Sequence, residues 1–252
     1  ATRKALACFV YAGAGTDRKI PTFAEVLKRG KNDVAATLKV PFYSRHGDEN
    51  GYLGYKYKHS VRYTFRYGDM LKFGILGSQD AGEPLFADRN KWGYDFYSFY
   101  LIVKKIGALK ALAVGRYRLS FGMGLVMNND FGLGKIATLS TLGRSTNNIR
   151  AHSSRSAANY LQGVAATVQV AKGLDVSGFV SYRDIDATLN KDDGSIRTIL
   201  YTGYHRTPTE MEKKDNASQF LAGGNVHYFV NGWHVGATGI YTSFNKELKP
   251  DT

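Results

Sequence analysis

Cysteine is almost absent from this chain of 252 residues: Cys8 stands alone, which excludes an internal disulfide framework and any multi-cysteine metal site. Proline is scarce as well, with 5 residues. No apolar run approaches the roughly 18 residues of a membrane-spanning helix, and the mean hydropathy of -0.30 agrees. A helical membrane protein is thereby excluded, but a membrane barrel is not, because its strands are only half apolar. Carboxylates are also in deficit, 21 Asp plus Glu against 34 Lys plus Arg, for a formal charge of +13. That surplus favours anionic partners such as nucleic acid, phospholipid head groups or lipopolysaccharide, and by itself does not choose among them.

What is present in quantity is 17 Tyr, 14 Phe and 28 Gly, a mixture suited to strands and tight turns. The stretch from Tyr55 to Gly68, Y-K-Y-K-H-S-V-R-Y-T-F-R-Y-G, shows how they are arranged. Tyr57, Val61, Tyr63 and Phe65 fall in one alternating register, and Lys56, Lys58, Arg62 and Arg66 fall in the other. Successive side chains of a strand point to opposite faces, so one face is aromatic and the other basic. The same period returns in Val34 to Phe42, Leu109 to Phe121, Val164 to Val170, Leu174 to Tyr182 and Trp233 to Tyr241. In the second of these, Ala111, Ala113, Tyr117 and Leu119 form the apolar register, against Arg116 and Arg118. The pattern predicts about ten strands, several longer than the roughly 5 to 6 residues typical of globular proteins.

Short turns are expected at Gly68-Asp69, Ile106-Gly107, Lys172-Gly173 and Asn231-Gly232, the last a strong two-residue hairpin signal. Between them lie long connections, Ser44 to Gly51, Asp80 to Gly93 and Gly122 to Tyr160. Tight turns at one rim and long loops at the other are the habit of outer-membrane barrels. Thr207-Pro208-Thr209-Glu210 carries the elements of a helix start, with Pro at the first helical position and Glu three residues after Thr. Ala5 to Ala14, after Arg3 and Lys4, resembles the apolar part of a signal peptide; a buried strand and an upstream structural element are the other readings.

The residues suited to chemistry do not assemble into a motif. Phe131-Gly132-Leu133-Gly134-Lys135 lacks the spacing of a phosphate loop, and Ile136 stands where a metal-binding hydroxyl belongs. The six histidines show no paired metal spacing, although His227 and His234 would meet across the Asn231-Gly232 hairpin as a solvated pair. Asp80, Glu83 and Asp88 read as a solvated loop rather than a cation site. A catalytic reading requires Asp80, Glu83, His152 or His205 to converge in space. The expectation is therefore a non-enzymatic protein without cofactor or metal. For nucleic acid, rings and cations belong on one surface; here they are segregated, and a DNA-binding or polyanion-binding module is the second reading. Two sets of basic residues are candidates for contact with a partner. One is a lumen face of Lys56, Lys58, Arg62, Arg66, Arg116 and Arg118. The other is a loop surface of Lys135, Arg144, Arg150 and Arg155, in a segment that either packs into the lumen or faces a partner.

Several stretches resemble a family of Bacteroidota outer-membrane β-barrel proteins commonly labelled helix-hairpin-helix domain-containing proteins. They are Glu25-V-L-K-R-G-Lys31, Tyr52-L-G-Y-K-Y-K-His59, Gln79-D-A-G-E-P-Leu85, Tyr94-D-F-Y-Ser98, Phe121-G-M-G-L-Val126, Ile149-R-A-H-Ser153, Gly203-Y-H-R-T-P-T-Glu210 and Phe244-N-K-E-L-K-Pro250. The resemblance implies a fold and a place, the outer membrane of a Gram-negative bacterium, with lipid or lipopolysaccharide around it and a partner protein in an envelope complex. The DNA-binding label of that family rests on upstream hairpins, and no helix-hairpin-helix occurs in these residues. The expected architecture is all-β: an antiparallel membrane β-barrel or incomplete barrel of about ten long strands with long loops at one rim. Residues 1–32 are expected to be a poorly patterned lead-in, and residues 33–252 the barrel domain, truncated at its C-terminal end.

Overall fold

The computed structural model describes residues 21–129, 147–156 and 159–250, and the chain divides into two compact units, Ala1–Gly30 and Lys31–Thr252. Within the first lies helix α1 (Phe23–Arg29), which starts where Thr22 and Glu25 cap each other's backbone N–H. Two donors that the helix leaves unpaired are satisfied in this way.

The second unit is built on antiparallel strands. They are β1 (Lys31–Lys39), β2 (Lys58–Tyr67), β3 (Leu71–Gln79), β4 (Phe96–Ile106), β5 (Leu109–Ser120), β6 (Asn148–Ala151), β7 (Leu161–Ala171), β8 (Leu174–Ile185), β9 (Ala187–Leu189), β10 (Ile196–Ile199), β11 (Ala217–Val230) and β12 (Trp233–Phe244). Two short helices interrupt them, α2 (His46–Glu49) and α3 (Pro208–Glu212). One sheet of ten strands runs in the order β1-β2-β3-β4-β5-β7-β8-β11-β12, with β6 added beside β5, while β9 and β10 form a separate pair. Among the described residues neither β1 nor β12 pairs on its outer side. The sheet is therefore open.

All four expected tight turns occur, joining β2 to β3, β4 to β5, β7 to β8 and β11 to β12. Asn231 and Gly232 both have positive φ, 51° and 85°, the backbone that matches the twist of a two-residue hairpin. Because each neighbour runs antiparallel, these turns share one rim. The connections between β1 and β2, β3 and β4, β5 and β7, and β8 and β11 all fall at the other.

Register divides the sheet into two faces. One row runs Phe65, Phe73, Leu101, Val114, Val164, Val180, Ala222, Tyr241 across consecutive strands. A second runs Val34, Tyr63, Ile75, Phe99. Half of these side chains are exposed, among them Val164 at 48%, Val180 at 51% and Tyr241 at 64%, and all the rest but Phe65 are half-buried. Val61 and Tyr57 are exposed as the alternation predicts, whereas Phe65 is buried.

The opposite face changes character along the sheet. It is polar and basic over β2 and β3, with Ser60, Arg62, Thr64 and Arg66 on β2. From β4 onward it becomes a core of Tyr100, Ile102, Ala113, Tyr117, Phe179 and Leu221. Met127 and Ile149, at the described ends of the long connection after β5, pack into the same core. Tyr117 is wholly buried, and its hydroxyl donates to the carbonyls of Val180 and Val164 at 2.8 and 3.3 Å.

Strand β5 is where this face departs from the alternation read in the sequence. Its apolar register, Ala111, Ala113, Tyr117 and Leu119, turns to the buried core, and Leu112 and Val114 join the exposed apolar face. Both registers of β5 carry apolar residues, so only pairing with β4 and β7 settles which one is covered.

Candidate functional site: a buried histidine clasp and a basic corner

At the rim of long connections, three segments far apart in sequence are drawn together. The loop after β3 brings Glu83, the residue before β4 is Asp95, the turn after β8 brings Asp186, and the segment before α3 brings His205. The last begins where predicted: Thr207 and Glu210 cap α3 reciprocally, with Pro208 in its first turn.

His205 lies between two carboxylates, with Nδ1 2.7 Å from Asp95 and Nε2 3.0 Å from Asp186. Facing an acceptor on each side, both ring nitrogens must donate, so the ring is an imidazolium. Burial opposes that charge, but the hydrogen bonds to Asp186 and Asp95 outweigh it, and the histidine is pushed up to about 9. Lys214 completes the charge balance, its Nζ donating to Asn90 Oδ1 at 2.6 Å and to Asp95 Oδ1 at 2.9 Å. Burial works against the ionised form of Asp95 too, yet the contacts with His205 and Lys214 hold it below the usual carboxylate range.

Among the described residues Glu83 forms no ion pair. Its carboxyl accepts the backbone N–H of Asp80 at 2.7 Å and of His205 at 3.1 Å. Burial, then the charge of Asp95, raise it to about 7 against those two hydrogen bonds. Gln79 lies beside it, wholly buried, donating to the Glu83 carbonyl. A cavity of about 270 Å³ opens next to Glu83 and Asp95, and a smaller one of about 100 Å³ next to Asp186 and His205.

One atom each of Glu83, Asp95 and His205 lie within 4.8 Å of one another, a spacing a metal ion would accept. Both imidazole nitrogens are already committed to carboxylates, so an ion there would have to displace a proton from the ring. The same commitment removes the lone pair that a general base requires. As arranged, the cluster is an ionic clasp between loops.

Glu83 is therefore buried, where the sequence pattern suggests a solvated loop. Asp80 contributes its backbone here and pairs its side chain with Lys58. His152 stands apart, its ring receiving Arg118 Nε at 3.0 Å on Nδ1 and facing the Ser156 carbonyl at 2.9 Å on Nε2. Burial lowers it to about 4, which leaves it neutral at physiological pH. His227 and His234 do meet, at 3.3 Å, as an exposed pair. Nothing in the sequence pattern marks Asn90, Asp95, Asp186 or Lys214. The one available signal is that the stretches containing Glu83, Asp95 and His205 belong to the set carrying the family resemblance.

The candidate basic residues occupy separate environments. Arg62 and Arg66 are exposed on β2, and Lys56 and Lys58 line a cleft beside Asp80. Arg116 is sandwiched between the rings of Phe96 and Tyr160, at 4.4 and 4.3 Å. Arg118 is engaged with His152. Of the loop set, Arg155 donates to Ser60 at 3.2 Å and Arg150 lies on β6; Lys135 and Arg144 fall outside the described residues. Comparison with protein-family models, with curated proteins and with solved structures gives no match.

Proposed function

We propose that this chain is a non-enzymatic wall segment of an outer-membrane β-barrel of a Gram-negative bacterium, its apolar face toward lipid and its basic face toward water, where it serves anionic solutes or a docking partner. The observation that carries this reading is the apolar row from Phe65 to Tyr241, unbroken across eight strands, with Val164, Val180 and Tyr241 exposed and Phe73, Leu101, Val114 and Ala222 half-exposed. Large exposed apolar surface on a sheet calls for a non-aqueous neighbour. Strand length agrees. The principal strands have 9 to 14 residues, where a tilted membrane strand needs about 9 to 11. Aromatic residues sit near both ends of the face, Tyr182 and Phe220 at one and Tyr228 and Trp233 at the other, as interfacial girdles do. The asymmetric rims and the family resemblance support the same placement.

Nitroxide labels provide the test. In reconstituted vesicles, a label at Val180→Cys should relax with oxygen and resist a water-soluble nickel chelate, and one at Ser177→Cys should show neither lipid contact nor free oxygen access. Ready nickel access at Val180→Cys would sink the reading. A polyanion-binding module linked to uptake is the second reading, favoured by the cationic corner of the other face; duplex DNA retention that falls steeply with salt is its mark.

A further inference from the structure

The register at the tight-turn rim places cations directly against one another. Lys31 on β1 faces Arg66 on β2, which faces Lys72 on β3. Like charges directly opposite across strands destabilise a sheet. Several cations elsewhere have acidic partners: Lys58 has Asp80, Lys110 has Asp175, Lys214 has Asp95 and Arg206 has Glu210. Among the described residues no ion pair joins Arg66, Lys72 or Lys104 to a carboxylate.

These side chains surround a cleft of about 570 Å³, lined by Arg66, Lys72, Lys104, Lys105 and Arg150, with Asp69 as its one carboxylate. Asp69 is largely exposed and pairs with Lys105 at 3.3 Å, so it leaves the row uncompensated. Lys72 is held over the sheet, its Nζ 5.3 Å from the centre of the Tyr100 ring. The volume falls within the range of small-molecule sites, about 300 to 1,000 Å³.

We infer that this corner is a binding site for a diphosphate-bearing anion, with the Arg66 guanidinium as the fork and the Lys72 and Lys104 ammonium groups as point charges. A single monovalent ion would not neutralise such a row, and a planar guanidinium matches paired phosphate oxygens. The site deepens the proposed function and rests on it only in leaving this face to water; the label experiment can fail while phosphate binding stands. A free solute and a lipid head group carry the same chemistry.

The test uses the 252-residue chain in neutral detergent at low ionic strength, titrated calorimetrically with inorganic pyrophosphate. Binding is expected, weakening with salt, and Arg66→Gln with Lys72→Gln should weaken it at least about tenfold. The double variant should melt no lower than the parent when pyrophosphate is absent, because repulsion is relieved, and pyrophosphate should no longer raise its melting point. Binding of pyrophosphate assigns a free solute; binding only of vesicles that carry a lipid diphosphate, lost in the same variant, assigns a lipid head group. Binding of neither overturns the site. So does pyrophosphate binding that the double variant leaves unchanged, or displacement of pyrophosphate by duplex DNA at equal phosphate, which would assign the row to a polymer.

Discussion

His205 and Glu83 show how a buried residue's charge follows from its neighbours rather than from its type. His205 is an imidazolium because two carboxylates close on its ring, and Glu83 is raised because burial and the charge of Asp95 outweigh its two backbone hydrogen bonds. The pH consequences have definite signs. Glu83 is raised in the fold from 4.5 to about 7, so its contribution is present in acid and lost between those values. His205 is raised from 6.5 to about 9, and its contribution is full below 6.5 and lost as pH climbs through 9. Asp95 works in the opposite sense, contributing above 3.8 and failing in acid. Glu83→Gln should therefore flatten the fall in melting temperature between pH 4.5 and about 7, while the fall toward pH 9 remains. A variant that keeps the lower fall would show that Glu83 is not the group responsible.

Between elements, the long-connection rim is stitched by backbone as well as by charge. Leu53 N–H donates to Arg206 at 2.7 Å, Gly54 N–H to Gly82 at 2.9 Å, and Gly82 N–H to Tyr55 at 2.7 Å. Arg206 adds its guanidinium, 5.2 Å from the Tyr52 ring and 4.3 Å from the Tyr204 ring. Gly54 is required here for space: a Cβ would fall 1.7 Å from the Glu83 carbonyl oxygen, a backbone atom with nowhere to go. Gly54→Ala should cost about 2 to 3 kcal/mol in a urea melt, in the range of overpacking, and should loosen the clasp by displacing Glu83. Gly178→Ala, with nothing within 4 Å of its Cβ, is the control expected to stay close to the parent.

On the scale of the whole molecule, the sheet has one exposed apolar face, one face that is basic at one side and packed at the other, and two open edges in β1 and β12. The first of these supports the membrane reading and makes it quantitative. Val180→Arg, at the middle of the apolar row, should reduce stability in lipid by about 2 to 4 kcal/mol, the cost of a cation at the bilayer midplane on a lipid-facing strand. If the face were solvated, the same substitution on an exposed strand should lie within about 0.5 kcal/mol. Folding titrations in vesicles and in detergent separate the two outcomes.

The alternation, the four tight turns and the helix start at Thr207 are legible from the sequence because each is local: a strand's period and a turn's φ demand specific residues at adjacent positions. Asn231-Gly232 and the Tyr57 to Arg66 registers carry their own structure wherever the strand pairs. The covered face of β5 is not legible, since Ala113 and Val114 serve either register until β4 and β7 fix the pairing. The clasp is further from reach, because Asp95 and His205 are 110 positions apart and a lone histidine or carboxylate has no periodicity. Sequence determined the strands, their turns and the excess of positive charge. The tertiary structure alone decided which charges were paired and which were set against each other, because Coulomb energy depends on distance through space and on burial, and neither is a property of chain order.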